Sequence, residues 1–256
     1  MGFSSLISSI IPASINNYAS GRTKYGKTYR VCKITPHHMS GKLSAQRCGE
    51  IFEDPTRYAS SNYGIGYNGE IYGYVDEDDR AFTSSNAIND AQAITIECSN
   101  ASNSDPDWPL TEATWNSLIN LCVDICRRYD FRLVYDGTPN GSLTRHNMFA
   151  DTDCPGPWLQ RHLPELAQIV NNILDGGQPE PTPDPGGDEP VRVYQNGSTP
   201  EPVYADTNLS IRIGTLNPRE ACDCFGIFSN RAMVRYNVDG TGNYKMGFCK
   251  WTGGVQ

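Results

Sequence analysis

Residues 145–157 read RHNMFADTDCPGP and place a histidine, His146, eight positions before a cysteine, Cys154, in a segment crowded with Asp, Pro and Gly. That thiol could be a buried core contact, half of a disulfide, a nucleophile or a metal ligand. A nucleophilic cysteine needs a histidine base and a third group to orient it. Zinc takes imidazole nitrogen, thiolate sulfur or carboxylate oxygen, and a catalytic site keeps one of its four positions open. Three protein ligands therefore suffice. His146 and Cys154 supply two if the loop between them folds back, and His37, the first histidine of TPHH, could be the third. Taken singly, each of these residues reads first as a satisfied histidine or a buried thiol. Glu97 stands out differently, because it lies in the otherwise apolar run AQAITIECSN. A carboxylate there is costly unless it is paired or put to use.

The elements around these residues suggest how they are positioned. YRVCKITPHH alternates as a strand that ends at the two histidines. LSAQRCGEIFEDP reads as a helix with Ser44 as N-cap, an apolar stripe of Cys48, Ile51 and Phe52, and Pro55 as its stop. YGIGYNGEIYGYV reads as a hairpin turning at Asn68-Gly69, and AQAITIECSN as a compact strand. TEATWNSLINLCVDICRRYDF and PWLQRHLPELAQIVNNIL carry apolar residues at helical spacing. Strands interleaved with helices, plus one hairpin, predict an α/β domain with a mixed sheet.

DGGQPEPTPDPGGDEP, residues 175–190, is a Pro/Gly/acidic linker that cannot bury apolar surface. It separates residues 1–174 from residues 191–256, where VRVYQNG, PVYADT, IRIGTL, AMVRYNV and NYKMGFCKW predict a small all-β barrel. Net charge is −8 overall, −5 over residues 1–174 and +2 over residues 191–256. That balance argues against a nucleic-acid partner, which demands a strongly basic face. No apolar run approaches the ~20 residues that cross a bilayer, so membrane insertion is not expected. The opening MGFSSLISSI has no basic stretch before its apolar part, which predicts no signal peptide. Nine cysteines in such a chain read mainly as reduced thiols, with one bridge conceivable among Cys222, Cys224 and Cys249. The acidic run Asp76–Asp79 lacks the spacing of a calcium loop and reads as solvated. Cys122 and Cys126 read as core, and His162 has no assigned role.

TPHHMSG, LSAQRCG, ITIECSN and RHNMFADTDCPGP occur in the order seen in zinc-dependent N-acetylmuramoyl-L-alanine amidases, the phage endolysins and bacterial autolysins related to peptidoglycan-recognition proteins. The resemblance covers roughly residues 25–174, and its H-x7-C-P-G element is its most specific part. It implies a peptidoglycan-recognition-protein-like α/β fold and one zinc ion held by His37, His146 and Cys154. It also implies that Glu97 moves the proton during hydrolysis of the bond between N-acetylmuramic acid and L-alanine. Thr152, where relatives carry Lys or Thr, would either donate a hydrogen bond to the carbonyl oxygen or merely shape the loop. His38 varies in the family and reads as a weak substrate contact or a surface histidine. Ser61, and the pair Phe82-Thr83, stand where part of the family has tyrosine and an aromatic-His pair, which throws the proton chemistry onto Glu97.

The C-terminal piece resembles, more loosely, bacterial SH3-like wall-binding domains, on PVYADT, IGTL, MVRYNV and YKMGF. Tyr204, Tyr236, Tyr244, Phe248 and Trp251 offer stacking area to sugar or peptide, or serve as its core. The expected whole is a wall-degrading hydrolase acting on bacterial, Gram-positive peptidoglycan, held in the host cytoplasm until lysis. A non-catalytic peptidoglycan receptor and a host autolysin are the rivals. Glycosidic cleavage would need two facing carboxylates, and no pair suggests itself.

Overall fold

A computed structural model describes residues 2–176, 192–204, 212–228, 231–237 and 244–250. The chain forms two compact units, Met1–Gln178 and Pro179–Gln256. Most of the expected linker, and Trp251, lie outside the described residues.

In the first unit the strands are, in chain order, β1 (Ser9–Ile10), β2 (Tyr18–Ala19), β3 (Thr23–Lys24), β4 (Lys27–Thr28), β5 (Lys33–His38), β6 (Tyr63–Ile65), β7 (Ile71–Gly73), β8 (Arg80–Ala81) and β9 (Ala93–Cys98). The helices are α1 (Ala45–Phe52), α2 (Ala87–Gln92), α3 (Glu112–Tyr129) and α4 (Pro157–Leu174). Five strands form one sheet in the order β1-β7-β6-β9-β5. β6 and β7 pair antiparallel through the expected hairpin, and the other pairings are parallel, so the sheet is mixed. The hairpin turns with Gly69 at φ +87°, a left-handed conformation that glycine adopts without steric cost.

β5 is shorter than the strand predicted from Tyr29: Tyr29 instead continues the small β3–β4 hairpin, its N donating to Arg22 O at 3.0 Å. α1 starts where its cap predicts, with Ser44 Oγ accepting from Arg47 N at 3.1 Å. Of the elements that were not foreseen, two bear on the sheet. β1 adds an edge to the sheet beside β7, and α2 precedes β9, capped by the Asn86 side chain.

One face of the sheet packs Ile34, Ile94, Ile96, Tyr63 and Ile65 against α3 and α4. There Trp115 and Trp158 meet edge to face with ring centroids 5.5 Å apart. Cys122 and Cys126 belong to this core, as expected. Because strand side chains alternate between faces, Thr35 and His37 on β5 project opposite to Ile34 and His38. That second face is covered in part by α1, with Cys48, Phe52 and Tyr74 in its own apolar cluster.

Glu77 corrects the sequence reading. Within the acidic run it is fully buried. Its carboxylate accepts from both terminal nitrogens of Arg128, from Tyr63 OH at 2.5 Å and from Tyr129 OH at 2.8 Å. Four donors supply what water would have given, so burial is tolerated.

The second unit is all β: β10 (Arg192–Gln195), β11 (Glu201–Tyr204), β12 (Arg212–Leu216), β13 (Ala221–Phe228), β14 (Arg231–Asn237) and β15 (Tyr244–Lys250). They form one sheet in the order β10-β13-β14-β15-β11-β12. β13 was not foreseen, since ACDCFGIF hides its alternation behind Asp and Gly. Tyr236 is core, its hydroxyl donating to Ile213 O at 3.2 Å. None of the nine cysteines, all among the described residues, is in a disulfide, including the three for which a bridge was conceivable. No helix among the described residues is long and apolar enough to cross a membrane.

Candidate metal centre

Parallel pairing of β5 with β9 sets His37 opposite Glu97 in register, and β6 places Gly64 on the other side of Glu97. Residues paired in register project to the same face. His37 and Glu97 therefore rise together from the strand ends, on the face away from α3 and α4. Gly64 is required at its position: a Cβ there would run into the Tyr74 hydroxyl, which donates to Ala45 O at 2.6 Å beneath α1.

The other two candidates arrive on the segment between α3 and α4. Leu143 bridges to Ile34 on the free edge of β5, Thr144 N donates to Ile34 O at 3.0 Å, and a 3-10 turn, His146–Met148, follows. The loop then folds back as the sequence suggested, with Asn147 N donating to Cys154 O at 3.1 Å. Arg145 and Asn147 both bond Gln160 of α4, fixing the loop to that helix. After Cys154, Gly156 at φ +87° turns the chain into α4, where a Cβ would press within 2.9 Å of Trp108.

His37, His146 and Cys154 converge, with their ligand atoms all within 4.8 Å of one another. His37 Nδ1 lies 3.2 Å from Cys154 Sγ, and the two imidazole rings are 5.0 Å apart. In a tetrahedral zinc site, bonds of about 2.0 and 2.3 Å put ligand nitrogen and sulfur roughly 3.5 Å apart. The donor set thus fits a single zinc-like ion with one position left open. Its electrostatics fit as well. Burial holds His37 well below the usual histidine range, with His146 and His38 adding to the effect, and burial lowers His146 too. Both rings are therefore neutral and carry the lone pairs a metal requires. Burial pushes the Cys154 thiol up, with Glu97 adding to the effect. A divalent ion held by these residues would reverse that preference and release the proton on binding.

Glu97 is half-buried, and its Oε2 is sealed from solvent with no hydrogen-bond partner among the described residues. Burial pushes its carboxyl up to about 8, with Arg57 pulling weakly the other way. Thr152 Oγ1 accepts from Cys154 N at 3.2 Å and so shapes the turn, with its own proton free to be donated elsewhere. His38 does not join the group. It points to the other face of β5, and its ring sits 5.3 Å from that of Trp108. Ser61 is buried, donating to Tyr63 O, and Thr83 donates to Ser60 O, so both family-variant positions have structural roles here. His162 stacks on Trp158 at 3.8 Å between ring centroids.

Sequence reasoning missed the polar floor beneath the centre. Thr35, Thr95 and Thr144 are fully buried, and each lies two residues before His37, Glu97 or His146. Asn89 Nδ2 donates to Thr35 Oγ1 at 3.0 Å, and Thr144 Oγ1 donates to Asn89 Oδ1 at 3.1 Å. With those roles fixed, the 2.8 Å contact between the two threonines closes with Thr35 as donor. Thr95 Oγ1 meets Thr83 Oγ1 at 2.9 Å. The recurring Thr-x-His and Thr-x-Glu spacing was the readable signal.

A family model described as N-acetylmuramoyl-L-alanine amidase matches residues 27–157, just over half of the chain, a span that holds all of these site residues. No curated protein matches. Among solved structures, PlyL is 14% identical, aligning over 64% of this chain and 96% of its own with a TM-score of 0.46. A selenomethionine derivative of AmpD is 18% identical over 65% and 97%, with a TM-score of 0.48. The N-acetylmuramoyl-L-alanine amidase LysC from Clostridium intestinale URNW is 17% identical over 66% and 98%, with a TM-score of 0.42. Scores this low carry no argument about the site, so the assignment rests on the family match. By that match, the chain belongs to the N-acetylmuramoyl-L-alanine amidase family.

Proposed function

We propose that this chain is a zinc-dependent endolysin that hydrolyses the amide between the lactyl group of N-acetylmuramic acid and L-alanine in Gram-positive peptidoglycan. The observation that carries the reading is the convergence of His37, His146 and Cys154 on the face where Glu97 keeps an unpartnered oxygen. A zinc ion held by the three side chains would supply Lewis acidity, making water nucleophilic at neutral pH and polarising the scissile carbonyl.

The remaining steps belong to the protein. Glu97, as carboxylate, takes the proton of the attacking water and then delivers it to the departing amide nitrogen. The C–N bond breaks as the new C–O bond is completed, giving a lactyl carboxylate on the glycan and a free amine on the stem peptide. Glu97 suits this double task because one of its oxygens has no partner among the described residues and is left to take and return a proton. The Thr152 hydroxyl donates to the carbonyl oxygen as charge develops there. His38 contacts the substrate weakly at most. The all-β unit, an SH3-like module in this reading, tethers the catalytic unit to the wall and raises the local substrate concentration through the linker.

Digestion of purified walls tests the reading. New N-terminal alanine without new reducing sugar ends is the expected result. New reducing ends without alanine would overturn the reading.

A further inference from the structure

Beside the centre, Ser85 is a residue that neither the motif reading nor the proposed mechanism uses. Its Oγ lies 3.2 Å from Nε2 of His146. Its backbone has φ +59°, in the left-handed region where a glycine would be at ease and a serine is strained.

The neighbours on each side are locked by other bonds. Asp90, buried beneath the loop, accepts from Thr83 N, from Ser84 N and from Ser84 Oγ. Asn86 caps α2, accepting from Ile88 N and Asn89 N. Asn89 in turn bonds Ser84 Oγ, Thr35 and Thr144, so the ring that holds the segment before His146 also holds the loop bearing Ser85. The fold thus fixes both partners of the Ser85–His146 contact against one buried scaffold.

We propose that Ser85 is a positioning residue for the metal centre. Its hydroxyl accepts Nε2–H of His146, which selects the tautomer whose lone pair sits on Nδ1 and holds the ring in the plane needed for ligation. A neutral imidazole has one N–H and one lone pair, so occupying Nε2 as donor leaves Nδ1 as the ligand atom. Partners of this kind on a metal-binding histidine set ring orientation and ligand strength. The inference rests on the zinc reading above.

Two variants separate the hydroxyl from the turn. Ser85→Gly removes the hydroxyl and relieves the left-handed strain, whereas Ser85→Ala removes the hydroxyl and keeps the strain. Zinc affinity is measured by chelator competition, thermal stability on the metal-free proteins, and the His146 tautomer by ¹⁵N NMR of the zinc-loaded wild type. Both variants should bind zinc about 10-fold or more weakly, with Ser85→Gly melting no lower than wild type and His146 protonated at Nε2. Wild-type affinity in Ser85→Gly, or a proton on Nδ1 of zinc-loaded His146, would overturn the role. A wild type that binds no zinc would overturn the metal reading itself, and this inference with it.

Discussion

Two glutamates of the same domain have opposite surroundings. Glu77 follows β7, is fully enclosed, and has its carboxylate oxygens saturated by Arg128, Tyr63 and Tyr129. Glu97 sits at the end of β9 with one oxygen sealed from solvent and no partner among the described residues. Desolvation costs both, yet only Glu77 has that cost offset by hydrogen bonds and an ion pair. A saturated carboxylate has nothing left to offer a substrate. An unsaturated one, set in register with His37, suits the proton transfer proposed for it. The contrast teaches that unmet polar demand, more than burial, separates a working carboxylate from a structural one.

The largest expected effect breaks the Glu97 side of the contrast. Glu97→Gln should lower kcat on wall fragments by about 10²- to 10⁴-fold, the usual worth of general acid–base catalysis, while zinc content stays at the wild-type level. Steady-state release of alanine termini checks the first and metal analysis the second.

Next comes the Glu77 side. Glu77→Ala leaves Arg128, about a quarter exposed, with Asp124 as its remaining carboxylate and takes away the acceptor of two tyrosine hydroxyls, at a cost of about 3 kcal/mol in denaturant unfolding. The same change should leave kcat of the folded fraction close to wild type.

The smallest effect is a pH dependence that sharpens the comparison. Glu97 has a folded pKa of about 8, above its unfolded value of 4.5. Below pH 4.5 it is protonated in both states and contributes no difference. As pH rises from there towards 8, the unfolded state ionises first, so the metal-free fold loses stability relative to Glu97→Gln. The slope approaches 1.4 kcal/mol per pH unit, so about 2 kcal/mol should open between roughly pH 6 and 7.5. Denaturant melts of both metal-free proteins measure it. A constant gap across that range would mean that Glu97 is already ionised in the fold.

The sequence made the chemistry more legible than the geometry beneath it. His37, His146 and Cys154 were open to other readings by type and spacing and were singled out together by the family resemblance, and the loop between the last two folds back as a shared site requires. The mixed sheet, the hairpin and the two long helices followed from alternation and helical spacing. Glu77 did not, because DEDD shows four like carboxylates and says nothing of which one turns inward to meet an arginine 51 residues away. α2 escaped notice because SSNAINDAQ spends its residues on the polar floor, giving Asn89 and Asp90 to hydrogen bonds instead of an apolar stripe. The strand register that sets His37 beside Glu97 is a long-range property that no local pattern carries.

The central claim is that His37, His146 and Cys154 hold one zinc ion required for amide cleavage, and titrating metal-free protein with zinc while following alanine release from walls tests it most directly. The account predicts no release without metal, a rise to a plateau at one equivalent, and no release from Cys154→Ser at the zinc levels that saturate the wild type. Full release from metal-free protein, or an undiminished response in Cys154→Ser, would contradict it.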